Sequence, residues 1–292
     1  MALEQGEPLN VLASIRPLHS IVSAVMGETG TPQLLVTGSA SPHAFSMRPS
    51  DARKLENADI VFWSGPTLET FLINPLRTLA GDADVHALAD TPGLVTRPVR
   101  EGGLWEAHDH EGEDDHAHEG EEPDPHFWLD PQNGIAMANA IADLLGQADP
   151  ARESTYAANA RAFAERVMAL DAESQTRLRP VLDVPYIVFH DAYQYFEAHY
   201  GLSPQGSVTV ASDRPAGTRR IIEIRARITG TDVRCVFAPP QFSPRLVRVL
   251  VENSSATSAT LDDLGTDIEP GPQLYETMFR HMTDNFVSCL GA

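Results

Sequence analysis

Positive charge is scarce in this 292-residue chain. Its 21 Lys and Arg stand against 41 Asp and Glu, a formal net charge of -20. Such a balance excludes nucleic acid and anionic membrane surfaces as partners and suits a protein that attracts cations. Long apolar runs are also missing: none approaches the roughly 20 residues needed to cross a bilayer. The opening residues, Met1 to Pro8, have neither a basic stretch nor an apolar one, so no signal peptide is read there. A cytosolic protein and a mature exported form are both compatible with that start. Only two cysteines occur, Cys235 and Cys289. Without a Cys-x-x-Cys pair they exclude a cysteine zinc site, and a disulfide or two buried thiols both remain open. The chain lacks His-Glu-x-x-His, and it lacks His-x-Glu paired with Pro-Cys-x-x-Cys. Those metallohydrolase classes therefore drop out, and no enzyme is expected. Glu197-Ala-His199 is only a fragment of such a motif.

What is present alternates between short apolar runs and helical stretches. Leu9 to Ala13 reads as a strand and Pro17 to Met26 as a helix with proline in its first turn. Gln33 to Val36 is a second strand. A helix opens at Pro49, and Asp59 to Trp63 is a strand broken by Gly65-Pro66. This βα alternation implies a parallel sheet covered by helices. Asp149 to Arg179 reads as one long helix, with Asp149 as cap, Pro150 in the first turn and Pro180 as stop. Tyr156, Ala160, Phe163, Val167 and Leu170 form its apolar stripe. About 30 residues would span about 45 Å, a strut between lobes, with two shorter kinked helices as the other reading. Beyond Pro180 the alternation returns. Strands are read at 186–189, 233–237 and 257–261, and helices at 192–200, 219–228, 244–251 and 272–290. The fold class expected is α/β: two βα-repeat lobes with mostly parallel sheets, joined by one long rigid helix. The expected divisions are an N-terminal lobe over 8–148, the linking helix over 149–180 and a C-terminal lobe over 181–292. No strong internal sequence repeat is visible.

The stretch from about Glu106 to Asp124 is different. His108, His110, His116 and His118 stand among ten acidic residues with almost nothing apolar. It cannot bury a core and is expected to be a disordered insertion. Solvated charge is the plain reading; weak, multiple metal sites with a capture or sensing role are the alternative.

Three other histidines stand where an α/β sheet puts its ligands, beyond the carboxyl ends of strands. His190 follows the run Tyr186-Ile-Val-Phe189. His43 lies in Ser41-Pro-His-Ala-Phe45, between the second strand and a helix. His126 lies in Asp124-Pro-His-Phe-Trp-Leu-Asp-Pro131. Asp262, at the end of the strand 257–261, is a fourth candidate. Neutral imidazole suits zinc, copper or nickel, and three imidazoles with one oxygen make a tetrahedral zinc set. His19, His86, His199 and His281 have no matching partner and read as ordinary residues.

Five ordered motifs make the chain similar to a known family. They are Ser41-Pro-His-Ala-Phe-Ser-Met-Arg-Pro-Ser-Asp51, Pro125-His-Phe-Trp-Leu-Asp-Pro131, Phe189-His-Asp-Ala-Tyr-Gln-Tyr-Phe196, Cys235-Val-Phe-Ala-Pro-Pro-Gln-Phe242 and Leu261-Asp-Asp-Leu-Gly265. Together with the His- and acid-rich segment, they resemble the zinc-specific, ZnuA-type periplasmic substrate-binding proteins of bacterial ABC importers, and they cover nearly the whole chain. The resemblance implies Zn(II) held by His43, His126 and His190, with Asp262 or a water as the fourth ligand and Asp262 slightly favoured, and a Cys235–Cys289 disulfide. It also implies residence in the periplasm and, as partners, a membrane permease with its ATPase. A periplasmic zinc chaperone is a further candidate partner, and a monomer is expected. Two departures bear on the fourth ligand. Pro42 stands where some zinc relatives carry an acidic residue, and Asp263 stands where the family often has proline. Manganese-specific relatives place Glu at the third histidine, so His190 favours zinc over manganese. The alternatives are a zinc buffer not coupled to a transporter, a binding protein for another divalent metal, and a surface adhesin.

Overall fold

Apolar runs set the middle of two parallel sheets, and polar, turn-prone sequence marks their edges. The computed structural model describes residues 8–38, 40–100, 105, 122–209 and 217–291. His108, His110, His116 and His118 lie outside the described residues. By their contacts the residues fall into two compact units. Unit 1 takes Met1–Val95, Asp130–Ala172 and Leu264–Phe279; unit 2 takes Thr96–Leu129, Glu173–Asp263 and Arg280–Ala292.

Unit 1 begins β1 (Val11–Ala13), α1 (Arg16–Met26), β2 (Gln33–Leu34), α2 (Pro49–Glu56) and β3 (Ile60–Trp63). It continues with α3 (Ile73–Leu79), β4 (Asp84–Ala87), α4 (Pro131–Ala148) and the greater part of α5 (Glu153–Leu178). All strand pairs are parallel, in the order β2-β1-β3-β4. Every residue of β1 and β3 is buried, as expected of a sheet covered on both faces. One face packs Leu12, Val61 and Trp63 against Leu55, Leu72 and Leu76. Helix α4 starts at a proline and is capped by Asp130, whose carboxylate accepts the Gln132 N–H at 2.8 Å. The long helix is a single α-helix of 26 residues flanked by 3₁₀ turns, Pro150–Arg152 before it and Arg179–Val181 after it. It joins the two sheets along the chain as expected.

Unit 2 comprises β5 (Tyr186–His190), α6 (Gln194–Tyr200), β6 (Pro204–Thr209), α7 (Thr218–Gly230), β7 (Cys235–Ala238), α8 (Pro244–Val251) and β8 (Thr257–Thr260). The last turns of α9 (Leu274–Leu290) complete it. Its parallel order, β6-β5-β7-β8, repeats that of unit 1. On one face Ile187, Phe189 and Val236 pack against Ile224, Ile228 and Leu250. On the other, Phe286 stacks on Phe196 and meets Tyr186 and Phe237, with ring centroids 4.7–5.4 Å apart. Burying such a ring is worth about 1.5–3 kcal/mol, so α9 is held firmly. A Cys235–Cys289 disulfide ties β7 to the end of α9, which resolves the two-thiol alternative in favour of the bond. Gly201 ends α6 in the left-handed region, φ 77°, and donates its N–H to the Glu197 carbonyl at 2.8 Å.

Glu69 is a buried acid in unit 1, at the carboxyl ends of β1 and β3. Its Oε2 accepts the Ser14 hydroxyl at 2.9 Å and the Ser64 N–H at 2.6 Å. Burial pushes its pKa up to about 7, outweighing the Ser14 hydroxyl and the Ser64 and Gly65 amides, which favour the anion. The ordinary value is 4.5, so the folded state holds this proton more tightly than the unfolded chain. The contribution to stability is therefore full below about pH 4.5 and is lost as pH rises toward about 7. The shift corresponds to roughly 3 kcal/mol. Glu69→Gln keeps an acceptor without the charge. Urea unfolding of metal-free protein should show the variant gaining on the wild type by up to roughly 3 kcal/mol between about pH 5 and about pH 8. An unchanged difference across that range would remove this account of Glu69.

Candidate metal centre

The order β6-β5-β7-β8 sends the chain from β5 to one neighbour and later to the other, so the carboxyl end of β5 is a switch point where α/β sheets bind ligands. His190 is the last residue of β5 and is only 2% exposed. His126, 3% exposed, arrives from a different segment of the same unit. An antiparallel bridge between Pro98 and Pro123, with Val99 N–H donated to the Glu122 carbonyl and Asp124 N–H to the Arg97 carbonyl, leads to it. Directly after it comes a 3₁₀ turn, Phe127–Leu129.

The two imidazoles meet edge to face, with centroids 5.1 Å apart and Nε2 of each 3.3 Å from Nε2 of the other. Two nitrogens bound to one tetrahedral zinc at about 2.0–2.1 Å stand about 3.3–3.4 Å apart. The pair thus has the separation a shared metal requires. Nδ1 of His126 is turned away, toward Asp124 Oδ1 at 2.7 Å.

Carboxylates surround the pair. Burial alone would lower the His126 pKa, but Asp124 at hydrogen-bond distance, with Asp263 and Asp191 nearby, raises it. Asp191 is pushed up to about 6 by burial, against the pull of Arg100 and with help from Glu197 and Asp124. Asp263 likewise rises to about 6 through burial and the charge of Asp262, opposed by His126. A cluster of acids poised around an imidazole pair is a field that draws a dication in. Arg100 balances part of it: it forks onto Asp191 and reaches Glu197 at 2.7 Å, and Glu197 also accepts the Tyr186 hydroxyl at 2.9 Å. Trp128 donates its Nε1–H to the Asp263 carbonyl at 2.8 Å, and Tyr193 donates to the Leu261 carbonyl at 2.6 Å, pinning the segment that carries both aspartates.

Unit 2 therefore brings His126 and His190 together. Asp262 stands half-buried just past β8, where Leu261 continues the ladder by donating its N–H to Ala238. His43 belongs to unit 1 and lies half-buried in a turn between β2 and α2, its N–H donated to Ser41 Oγ at 3.3 Å. The next helix is fixed by Asp51, which accepts the Arg48 N–H at 2.9 Å. Sequence reasoning missed Asp124, Arg100, Asp191 and Glu197. Asp124 carried a signal, an acid two residues before a candidate ligand with proline between. Arg100 carried none, since its partner Asp191 is 91 residues further on.

The family model of the periplasmic zinc-uptake complex component A (ZnuA) matches residues 11–289. The high-affinity zinc uptake system protein ZnuA of Brucella abortus (strain 2308) is 44% identical over 309 residues, covering 98% of this chain and 92% of that protein. A crystal structure of ZnuA superposes with a TM-score of 0.80 at 20% identity, covering 97% of this chain and 99% of that one. The Pseudomonas aeruginosa substrate-binding protein FpvC, solved in complex with Mn²⁺, gives 0.80 at 22% identity, covering 98% and 99%. The two parallel sheets, the long helix between them in the chain, and the imidazole pair at a switch point define a substrate-binding protein for a metal ion. More particularly, the chain belongs to the ZnuA family of periplasmic zinc-uptake components. That family supplies the binding component of transport systems rather than enzymes.

Among the described residues, Arg100 is the cation that pairs with two buried carboxylates, 5% and 2% exposed at their side chains. Arg100→Ala leaves both uncompensated and is expected to destabilise the metal-free protein by roughly 3–5 kcal/mol. Arg100→Lys should recover only part, because a point charge cannot fork onto Asp191. Urea unfolding measures both; equal stability of all three proteins would contradict the account.

Proposed function

We propose that this protein captures Zn(II) in the periplasm and delivers it to the membrane permease of an ABC importer driven by its ATPase. His43, His126 and His190 supply three nitrogen donors and Asp262 the fourth ligand. What carries the reading is the 3.3 Å approach of the His126 and His190 Nε2 atoms, the spacing of two donors on one tetrahedral zinc. His43 stands in a motif that resembles the family's first ligand loop, and its backbone N–H is donated to Ser41. An imidazole-rich set favours zinc over manganese, which prefers oxygen. The relatives named for zinc uptake support zinc as the cargo over nearly the full length of the chain. No helix among the described residues is long and apolar enough to cross a membrane.

Metal that binds the folded state alone should raise the melting temperature. Zinc titration of the single variants His43→Ala, His126→Ala and His190→Ala should show affinity losses beyond the roughly 10- to 100-fold typical of residues outside the ligand shell. Asp262→Ala should lose less if water takes its place. A triple histidine variant that still binds one zinc tightly would end this assignment. Delivery is tested by zinc uptake into vesicles carrying the permease and ATPase, with and without this protein.

A further inference from the structure

We infer that Asp124 is a positioning residue of the metal centre: it holds His126 with its proton on Nδ1, so that the lone pair of Nε2 is the one presented to the metal. The inference rests on the zinc reading above and adds a residue to it. A neutral imidazole has one donor nitrogen and one acceptor nitrogen, and its ligand atom is decided by whatever engages the other. Here a single carboxylate oxygen, Asp124 Oδ1, accepts two hydrogen bonds from the same residue. The His126 backbone N–H donates at 3.0 Å and its ring Nδ1 stands at 2.7 Å. Because a carboxylate has no proton to offer, the ring nitrogen must be the donor. Pro125, between the two residues, restricts the turn further by fixing its own φ.

Asp124 is itself immobilised, which separates it from a chance neighbour. It is only 5% exposed. Its N–H donates to the Arg97 carbonyl at 2.8 Å, and its carbonyl accepts the Tyr195 hydroxyl at 2.9 Å. The same hydroxyl accepts the Arg97 N–H at 3.0 Å. Tyr195 belongs to α6, the helix that follows His190, and is buried. The frame that aims one imidazole is thus bolted to the element leading away from the other. None of these backbone bonds depends on the Asp124 side chain, so shortening that side chain removes the hold on His126 while leaving the frame in place.

The test compares wild type with Asp124→Ala and Asp124→Asn, using three measurements. These are zinc affinity by competition titration, melting temperature of the metal-free protein, and the His126 tautomer by ¹⁵N NMR at a pH where the imidazole is neutral. For Asp124→Ala, zinc affinity should fall about 10- to 100-fold, the usual cost of losing such a partner. One zinc should still bind, and protonation should spread from Nδ1 to Nε2. Asp124→Asn retains an oxygen acceptor, so it should keep the Nδ1–H tautomer and recover part of the affinity. Wild-type affinity in Asp124→Ala would overturn the proposal. So would an affinity loss with the tautomer unchanged, because the effect would then be one of charge and not of aim. A fall in melting temperature in both variants, with equal affinity loss, would assign Asp124 a merely structural role. If His126→Ala bound zinc as tightly as wild type, the site reading itself would fail, and the positioning role with it. The metal-free NMR result distinguishes that failure from a failure of the Asp124 hold.

Discussion

Two buried imidazoles whose Nε2 atoms stand 3.3 Å apart impose a condition on everything around them. Each presents its Nε2 to that of the other, at the separation two donors have on one tetrahedral zinc. Holding it without metal requires each ring to be aimed from behind. His126 is aimed by Asp124, and His190 by its place as the last residue of a fully buried strand. The parallel sheet supplies the second restraint cheaply, since β5 is ordered by its ladders to β6 and β7 and by the cores on both faces. The first restraint needs a special local turn, and the hydrogen bonds among Arg97, Tyr195 and Asp124 are there to hold it.

The charge arrangement follows from the same condition. A dication is to be taken up, so the surroundings are anionic: Asp124, Asp191 and Asp263 lie close enough to raise the His126 pKa despite burial. Burial is the main reason Asp191 and Asp263 each rise to about 6, and neighbouring acids add to it. Arg100 offsets part of this by pairing with Asp191 and Glu197. The acids around His126 keep the field there negative. The chain's overall charge of -20 points the same way at longer range.

How much of this the sequence displays depends on the kind of residue. The central strands Ile60–Trp63, Tyr186–His190 and Cys235–Ala238 are apolar runs and read at once. Two edge strands did not. Asp84–Ala87 is short and half-exposed, and Pro204–Thr209 contains Pro204 and Gly206, residues that ordinarily signal a break. Helix Ile73–Leu79 carries Pro75 in its first turn and also went unread. The shared strand order of the two sheets has no counterpart in a repeated sequence, because many apolar residues satisfy the same buried position.

By itself the sequence determined the alternation of strands and helices, the long helix, the donor types and the family motifs, because these depend on local pattern and residue chemistry. Tertiary structure decided which nitrogen of His126 is turned to His190, how far apart the two lie, and which acids are buried beside them. Those outcomes depend on hydrogen bonds between groups distant in the chain, such as Arg100 with Asp191 and Tyr195 with Asp124. An imidazole looks the same in a sequence whichever way it faces; only the partner behind it, brought there by folding, aims it.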